Sequence, residues 1–383
     1  MFFLRNFAKV IRPIMFFFSG FFKKDPKMIV LGAWWGDKLA DNSFYYLKDL
    51  LTKDYSKTYK FVWIGKSNLK KQVESSFSGR VKFCKINSLK SLVFIAKAKY
   101  GFVSNGTADL GRFVPNKDMI IIQLWHGFPF KRIGADMRGA SNEGNKAFEF
   151  YSFYLSTSEV MTTRLLSAFR NYGIDRKKII ETGQPRNLAL YENSELRKKL
   201  NIADNKRIVT YLPTFRDNSD KTFEFANMDK NLLLMLEKNN IVVLEKPHHH
   251  KYKKMANEQN TSVIIHVDDK VDTQKLLKIT DILITDFSSV YADYLYLDRP
   301  IVHFLFDGLD YLNNDRGLYE QNFDEESAGP IVFNIEKVIQ LIINKNELEK
   351  YSYKRETLKN RINQYSVKDS TNIISKKVGI DNG

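Results

Sequence analysis

Between Asp281 and Phe306 the chain reads as a short apolar run, a polar turn, a helix and a second apolar run. Ile282, Leu283 and Ile284 suit a buried strand and are too few for a helix. Asp286, Ser288 and Ser289 follow, residue types that accept from the N–H groups left over where a helix begins. Val290 to Leu297 reads as that helix, Arg299-Pro300 stops it, and Ile301 to Phe306 is the second buried strand. Few architectures accept such a strand–turn–helix–strand unit, and in them the turn lies at the carboxyl end of the sheet, where open α/β sheets bind ligands. The helix dipole and free N–H groups favour an anion there, and two serine hydroxyls add donors. A phosphate or diphosphate suits the turn, although TDFSS by itself is more often an ordinary helix cap.

A second stretch, Ile121 to Gly134 (IIQLWHGFPFKRIG), also runs from apolar residues into a polar turn, here carrying His126, Gly127, Lys131 and Arg132. A histidine just past a strand, beside a glycine and two cations, is placed to meet a phosphorylated ligand; alone it would read as structural. Strand-like runs recur at Met28 to Leu31, Phe61 to Ile64, Val81 to Ile86, Tyr100 to Val103, Met119 to Leu124, Phe153 to Ser156 and Ile179 to Glu181. A second series follows at Arg207 to Leu212, Ile241 to Leu244 and Val263 to Val267. Helical patterns such as Asp41 to Leu51, Ser88 to Ala98 and Lys230 to Lys238 lie between, and Ile335 to Ile343 and Glu347 to Ile362 close the chain. That alternation argues for parallel sheets with helices on both faces. The charged segment Glu192 to Lys199 divides residues 28–195 from 196–383, giving two α/β domains expected to face a cleft. The tryptophans of GAWWGD (Gly32 to Asp37) either border it or pack. No GxGxxG follows a strand, so a dinucleotide fingerprint is absent.

The length of 383 residues fits two domains. A net charge of +16 points to nucleic acid, an anionic membrane or anionic substrates. No helix-turn-helix, zinc or RRM pattern is present, so nucleic acid is not an expected partner. The single cysteine, Cys84, excludes a disulfide within the chain, and no Cys/His ligand spacing supports a metal site.

Phe2 to Phe22 carries apolar residues at helical spacing, among them Phe3, Phe7, Val10, Ile14, Phe17 and Phe21, opposite Arg5, Lys9 and Arg12. Lys23, Lys24 and Lys27 follow. This is the pattern of an amphipathic helix in the interface of an anionic membrane, and the early cations interrupt a spanning helix. Docking of the same face on the protein's own core is the alternative.

Six blocks stand in order along the chain: QLWHGFPFKRIG, ETGQPRNLAL, YLPTFRD, LEKPHHH, ITDFSSVYADYLYLDRPIVHF and NDRGLY. Together they resemble the signature blocks of the CDP-glycerol glycerophosphotransferase family, which includes teichoic acid primases and polymerases. The resemblance implies a GT-B-like fold of two Rossmann-like domains. It implies transfer of glycerol phosphate from CDP-glycerol, with release of CMP, to a lipid-linked saccharide acceptor at the cytoplasmic face of the membrane, without a cofactor.

On that resemblance His126 is the general base, a role an imidazole suits because it titrates near neutrality. His248 matches the family's second histidine and donates to the diphosphate, with His249 and His250 as rivals in register. Ser288 and Ser289 hold the diphosphate, and Asp293 accepts from the ribose hydroxyls or is a solvated helix carboxylate. Gly127, Lys131, Arg132, Thr214 and Arg216 are further substrate-binding candidates. Lys246 is either a phosphate cation or a strand-end charge, and Arg316 is a last phosphate candidate. CDP-ribitol is the nearest alternative donor, because the motifs address nucleotide and phosphates more than the polyol. A GT-B glycosyltransferase using a nucleotide sugar, or a basic membrane scaffold, leaves several of the blocks without purpose.

Overall fold

The computed structural model describes residues 21–112, 118–138, 151–214, 223–246, 261–308 and 317–380. Residues 1–20, most of the expected interfacial helix, lie outside them, as do Arg216, His248 and Arg316. The described residues gather into two compact units. One takes in Met1–His126, Ser141–Leu188 and Tyr365–Gly383, the other Gly127–Ala140 and Ala189–Gln364. Neither unit is the continuous stretch that a division at residue 195 gives.

The first unit is built on β1 (Asp25–Gly32), β2 (Lys60–Gly65), β3 (Val81–Lys85), β4 (Ala98–Val103), β5 (Ile120–Gln123), β6 (Phe153–Ser156) and β7 (Ile179–Glu181). They form one parallel sheet in the order β3-β2-β1-β4-β5-β6-β7. Strands such as IVLG and FVWIG are near-continuous apolar runs because helices cover both faces. The helix Asp41–Leu50 buries Tyr46, Leu47 and Leu50 against Leu31, Trp63 and Phe102. Tyr46 stacks on Phe102 at 4.4 Å and its hydroxyl lies 3.1 Å from Ser375 Oγ. Ser375 belongs to the last helix, Ser370–Val378, which adds Ile374 and Val378 to the same core. Burying each of these large side chains contributes roughly 1.5–3 kcal/mol.

The second unit is built on β8 (Arg207–Leu212), β9 (Ile241–Glu245), β10 (Ile264–His266), β11 (Ile282–Thr285), β12 (Ile301–Phe304) and β13 (Ile331–Val332). Again all pairs are parallel, in the order β10-β9-β8-β11-β12-β13. Both sheets thus run outward from a first strand, and the order reverses between β1 and β4 and between β8 and β11. That reversal is the place where such sheets bind ligands. The edge strand β13 is two residues long, too short to carry a periodicity. The helix expected over Glu347 to Ile362 is broken into Lys345–Glu349 and Ser352–Ile362. Buried Arg355 occupies the break, donating to the Leu348 carbonyl at 3.3 Å and pairing with Glu349 and Asp298. Among the described residues no helix is long and apolar enough to cross a membrane.

Candidate active-site turns

In the first unit, β5 ends at Gln123 and the chain turns through Leu124, Trp125 and His126. Trp125 has a φ of +64° and Gly127 one of +147°, both in the region that disfavours a side chain, so the glycine of WHG is required by the backbone. His126 is exposed, and its Nδ1 lies 3.0 Å from the Ser104 carbonyl oxygen. A carbonyl can only accept, so Nδ1 carries the proton and Nε2 is the basic nitrogen of the neutral ring. The Trp125 ring stacks on the imidazole at 5.3 Å.

Ser104 opens the loop after β4, and that loop is held by Asp109. One oxygen of this buried carboxylate accepts from the N–H of Ser104 (3.0 Å) and Asn105 (2.7 Å), the other from Trp35 (2.8 Å). Burial pushes the Asp109 carboxyl up to about 6, against backbone N–H groups that favour the anion. Gly32 ends β1 beneath this loop, and a Cβ there would sit 2.3 Å from the Asp109 carbonyl oxygen. Of the two tryptophans after β1, Trp34 packs against the core and Trp35 is 53% exposed.

In the second unit the turn after β11 is organised by Asp286. Its Oδ1 accepts from the Thr214 N–H and hydroxyl and from the Ser288 N–H at 3.2 Å. Capping by serine is therefore weak: Ser288 Oγ reaches the Val290 N–H only at 3.5 Å, and Ser289 makes no side-chain cap to the helix Val290–Tyr294. His303 of β12 supports the turn from below. Its Nε2 accepts from the Ala328 N–H at 3.0 Å, so its Nδ1 proton goes to the Asp286 carbonyl at 3.1 Å. Fully buried, this ring is held neutral, its pKa lowered by desolvation to about 4.

The remaining candidates divide. Asp293 is 4% exposed, which corrects the reading of a solvated carboxylate: the helix is short and its inner face packs under the sheet end. Lys246 follows β9 and donates to the Val271 carbonyl and, at 3.2 Å, to Thr273 Oγ1, so it ties down a neighbouring loop. Lys131 and Arg132 lie in the second unit, although His126 belongs to the first. Lys131 bridges to Leu318, and Arg132 Nε donates to the Leu318 carbonyl at 3.0 Å. Phe130 of the same segment stacks on Tyr291 at 4.5 Å. Among the described residues no cluster of three His, Cys, Asp or Glu side chains is arranged to hold a metal ion. Sequence reading missed Asp109, His303 and Asn42. His303 left one signal, an ionisable residue inside an apolar strand.

Residues 14–379 match the family model described as CDP-glycerol:poly(glycerophosphate) glycerophosphotransferase. The chain is 28% identical over 365 residues to a teichoic acid poly(glycerol phosphate) polymerase of Bacillus spizizenii, covering 88% of each. It is 29% identical over 343 residues to the polymerase of the same name from Staphylococcus epidermidis, covering 80% of this chain but 44% of that protein. A teichoic acid ribitol-phosphate polymerase, TarK of Staphylococcus aureus, is 27% identical over 254 residues, 62% of this chain and 48% of the relative. The fold matches that of the wall teichoic acid polymerase TagF with a TM-score of 0.80 at 23% identity, over 99% of this chain and 95% of that one.

Proposed function

Because the chain belongs to the CDP-glycerol:poly(glycerophosphate) glycerophosphotransferase family, we propose that it transfers glycerol phosphate from CDP-glycerol to a hydroxyl of a lipid-linked saccharide acceptor in teichoic acid or related capsule polymer synthesis. The observation that carries the chemistry is the 3.0 Å bond from His126 to the Ser104 carbonyl, which leaves Nε2 as the basic nitrogen. The acceptor oxygen forms a bond to the glycerol-bearing phosphorus as its proton passes to Nε2. The bond from that phosphorus to the CMP oxygen breaks, and CMP leaves with the electron pair. General-base assistance of this kind typically contributes 10²–10⁴-fold.

The donor falls to the second unit. Ser288 and Ser289, at the reversal of strand order, hold the diphosphate with Thr214, and Asp293 orients the nucleoside side of the turn. Arg216, His248 and Arg316 supply further donors to the phosphates, and Gly127, Lys131 and Arg132 complete the substrate-binding set. The acceptor is membrane-anchored, and the cation-rich amino-terminal segment brings the enzyme to that surface as a peripheral protein.

CDP-ribitol is the second reading, favoured by the similarity to TarK, a ribitol-phosphate polymerase by name. Incubation with CDP-glycerol, CDP-ribitol and UDP-sugars tests both. Release of CMP with gain of glycerol phosphate on the acceptor supports the first, gain of ribitol phosphate supports the second, and release of UDP contradicts both.

A further inference from the structure

The side chains that hold His126 in place come largely from one turn of helix, and they are unrelated in sequence to the WHG block. The first turn of Asp41–Leu50 contains Asn42 and Ser43, both fully buried. Asn42 Nδ2 donates to the Leu124 carbonyl at 3.1 Å and the Trp125 carbonyl at 2.8 Å, and lies 3.1 Å from Gln184 Oε1. These carbonyls flank Trp125, the residue in the left-handed conformation. Such a conformation persists in a bulky residue only where the surroundings impose it. Asn42 Oδ1 in turn accepts from the Arg186 N–H at 3.0 Å, so the amide is engaged at both ends.

The next residue reaches the other side of the imidazole. Ser43 N–H donates to Ser104 Oγ at 3.0 Å, and the two hydroxyls lie 2.9 Å apart. Ser104 is the residue whose carbonyl receives His126 Nδ1. One turn of helix therefore grips the backbone just before His126 and the residue that sets its tautomer. That turn is itself locked: Asp41, at a φ of +66°, pairs with buried Arg186 at 3.1 Å and accepts from Trp34 Nε1 at 3.1 Å.

We infer that Asn42, with Ser43, is a positioning residue for His126: it holds the Trp125 peptide so that Nε2 is both basic and aimed. The inference rests on His126 acting as the base. Both side chains are fully buried and so out of a ligand's reach, which puts the effect on turnover and not on donor affinity. A misplacement of about an ångström at the reacting group costs on the order of 10²-fold in rate.

The test uses the full chain in four forms: wild type, Asn42→Ala, His126→Ala and the double variant. CMP release from CDP-glycerol is followed with a short-tailed synthetic acceptor primed with glycerol phosphate. Asn42→Ala should lower kcat by about 10–100-fold with the KM for CDP-glycerol little changed. The double variant should be no slower than His126→Ala. The imidazole nitrogen shifts of His126, assigned by their loss in His126→Ala, should report a protonated Nδ1 in wild type and a mixture of tautomers in Asn42→Ala. Should Asn42→Ala not fold, Ser43→Ala takes its place, with a several-fold loss of kcat and the same absence of further loss beside His126→Ala. Unchanged kcat, unchanged imidazole shifts, or an equal loss with and without His126 overturns the inference while leaving the base assignment intact. Full turnover by His126→Ala overturns the base assignment itself.

Discussion

Asp286 Oδ1 receives both the backbone N–H of Thr214, at 2.8 Å, and its hydroxyl, at 2.6 Å. Thr214 follows β8 and Asp286 follows β11, the adjacent strands between which the order of the sheet reverses. A single carboxylate thus joins the two turns to which donor binding is assigned. Asp286→Ala leaves the half-buried N–H groups of Thr214 and Ser288 without this acceptor, at a cost of about 1 kcal/mol. Urea denaturation should show the lower midpoint, and calorimetry should show CDP-glycerol binding lost. Retained binding would separate this turn from the donor.

His303 predicts an acid limb in stability. Its folded pKa is lowered to about 4 from 6.5. Its contribution is therefore fully present above 6.5 and is lost as pH falls toward 4, when the unfolded chain binds a proton that the folded one refuses. The full effect is roughly 3 kcal/mol. Asp109, raised to about 6 from 3.8, acts in the opposite sense: its contribution is present at low pH and lost as pH rises through 6. The comparison that isolates His303 is wild type against His303→Asn. The difference in stability should shrink between pH 6.5 and 4, and a difference independent of pH would contradict a buried neutral ring.

Gly329 lies between Ala328, which donates to His303, and β13. A Cβ at this position would stand 1.9 Å from the Ile301 carbonyl oxygen, a backbone atom that cannot move without disturbing β12. Gly329→Ala should destabilise by about 3 kcal/mol or more, since overpacking against backbone has no side chain to yield. Thermal unfolding checks it; a melting temperature within a degree or two of wild type would mean the strand can shift.

Much of the framework was legible in the sequence because parallel buried strands are short apolar runs. Phe153–Ser156, Ile179–Glu181, Arg207–Leu212, Lys230–Lys238 and Ile335–Ile343 have the bounds that pattern assigns. His126 and Asp286 were legible as polar residues just past such runs. The supports behind them were not. Asn42 reaches Trp125 across 83 residues and Thr214 reaches Asp286 across 72, and no local period records a bond of that span. The break at Lys350 and Tyr351 was equally hidden, because helix propensity continues through it and the buried guanidinium of Arg355, one turn on, decides the matter.

The amino-terminal segment gives a prediction of its own. Phe21 and Phe22 are exposed, while Lys24 donates to the Ala96 carbonyl and Asp25 pairs with Lys60 at 2.8 Å. Removing residues 1–20 spares those anchors. The truncated protein should stay folded, leave anionic vesicles and lose transfer to a long-tailed acceptor, while keeping transfer to a short-tailed one. Each cation near such a surface contributes about 1 kcal/mol. Aggregation, or equal loss on both acceptors, would assign the segment to the protein's own core.

The defining reaction is the transfer of a polyol phosphate with departure of CMP. It is tested most directly by mass spectrometry of the acceptor after incubation with CDP-glycerol, CDP-ribitol or a UDP-sugar, for wild type and His126→Ala side by side. Wild type should add glycerol phosphate from CDP-glycerol with matching CMP. His126→Ala, still binding the donor, should add about 10²–10⁴-fold less. Addition of a sugar with release of UDP, or full transfer by His126→Ala, would contradict it.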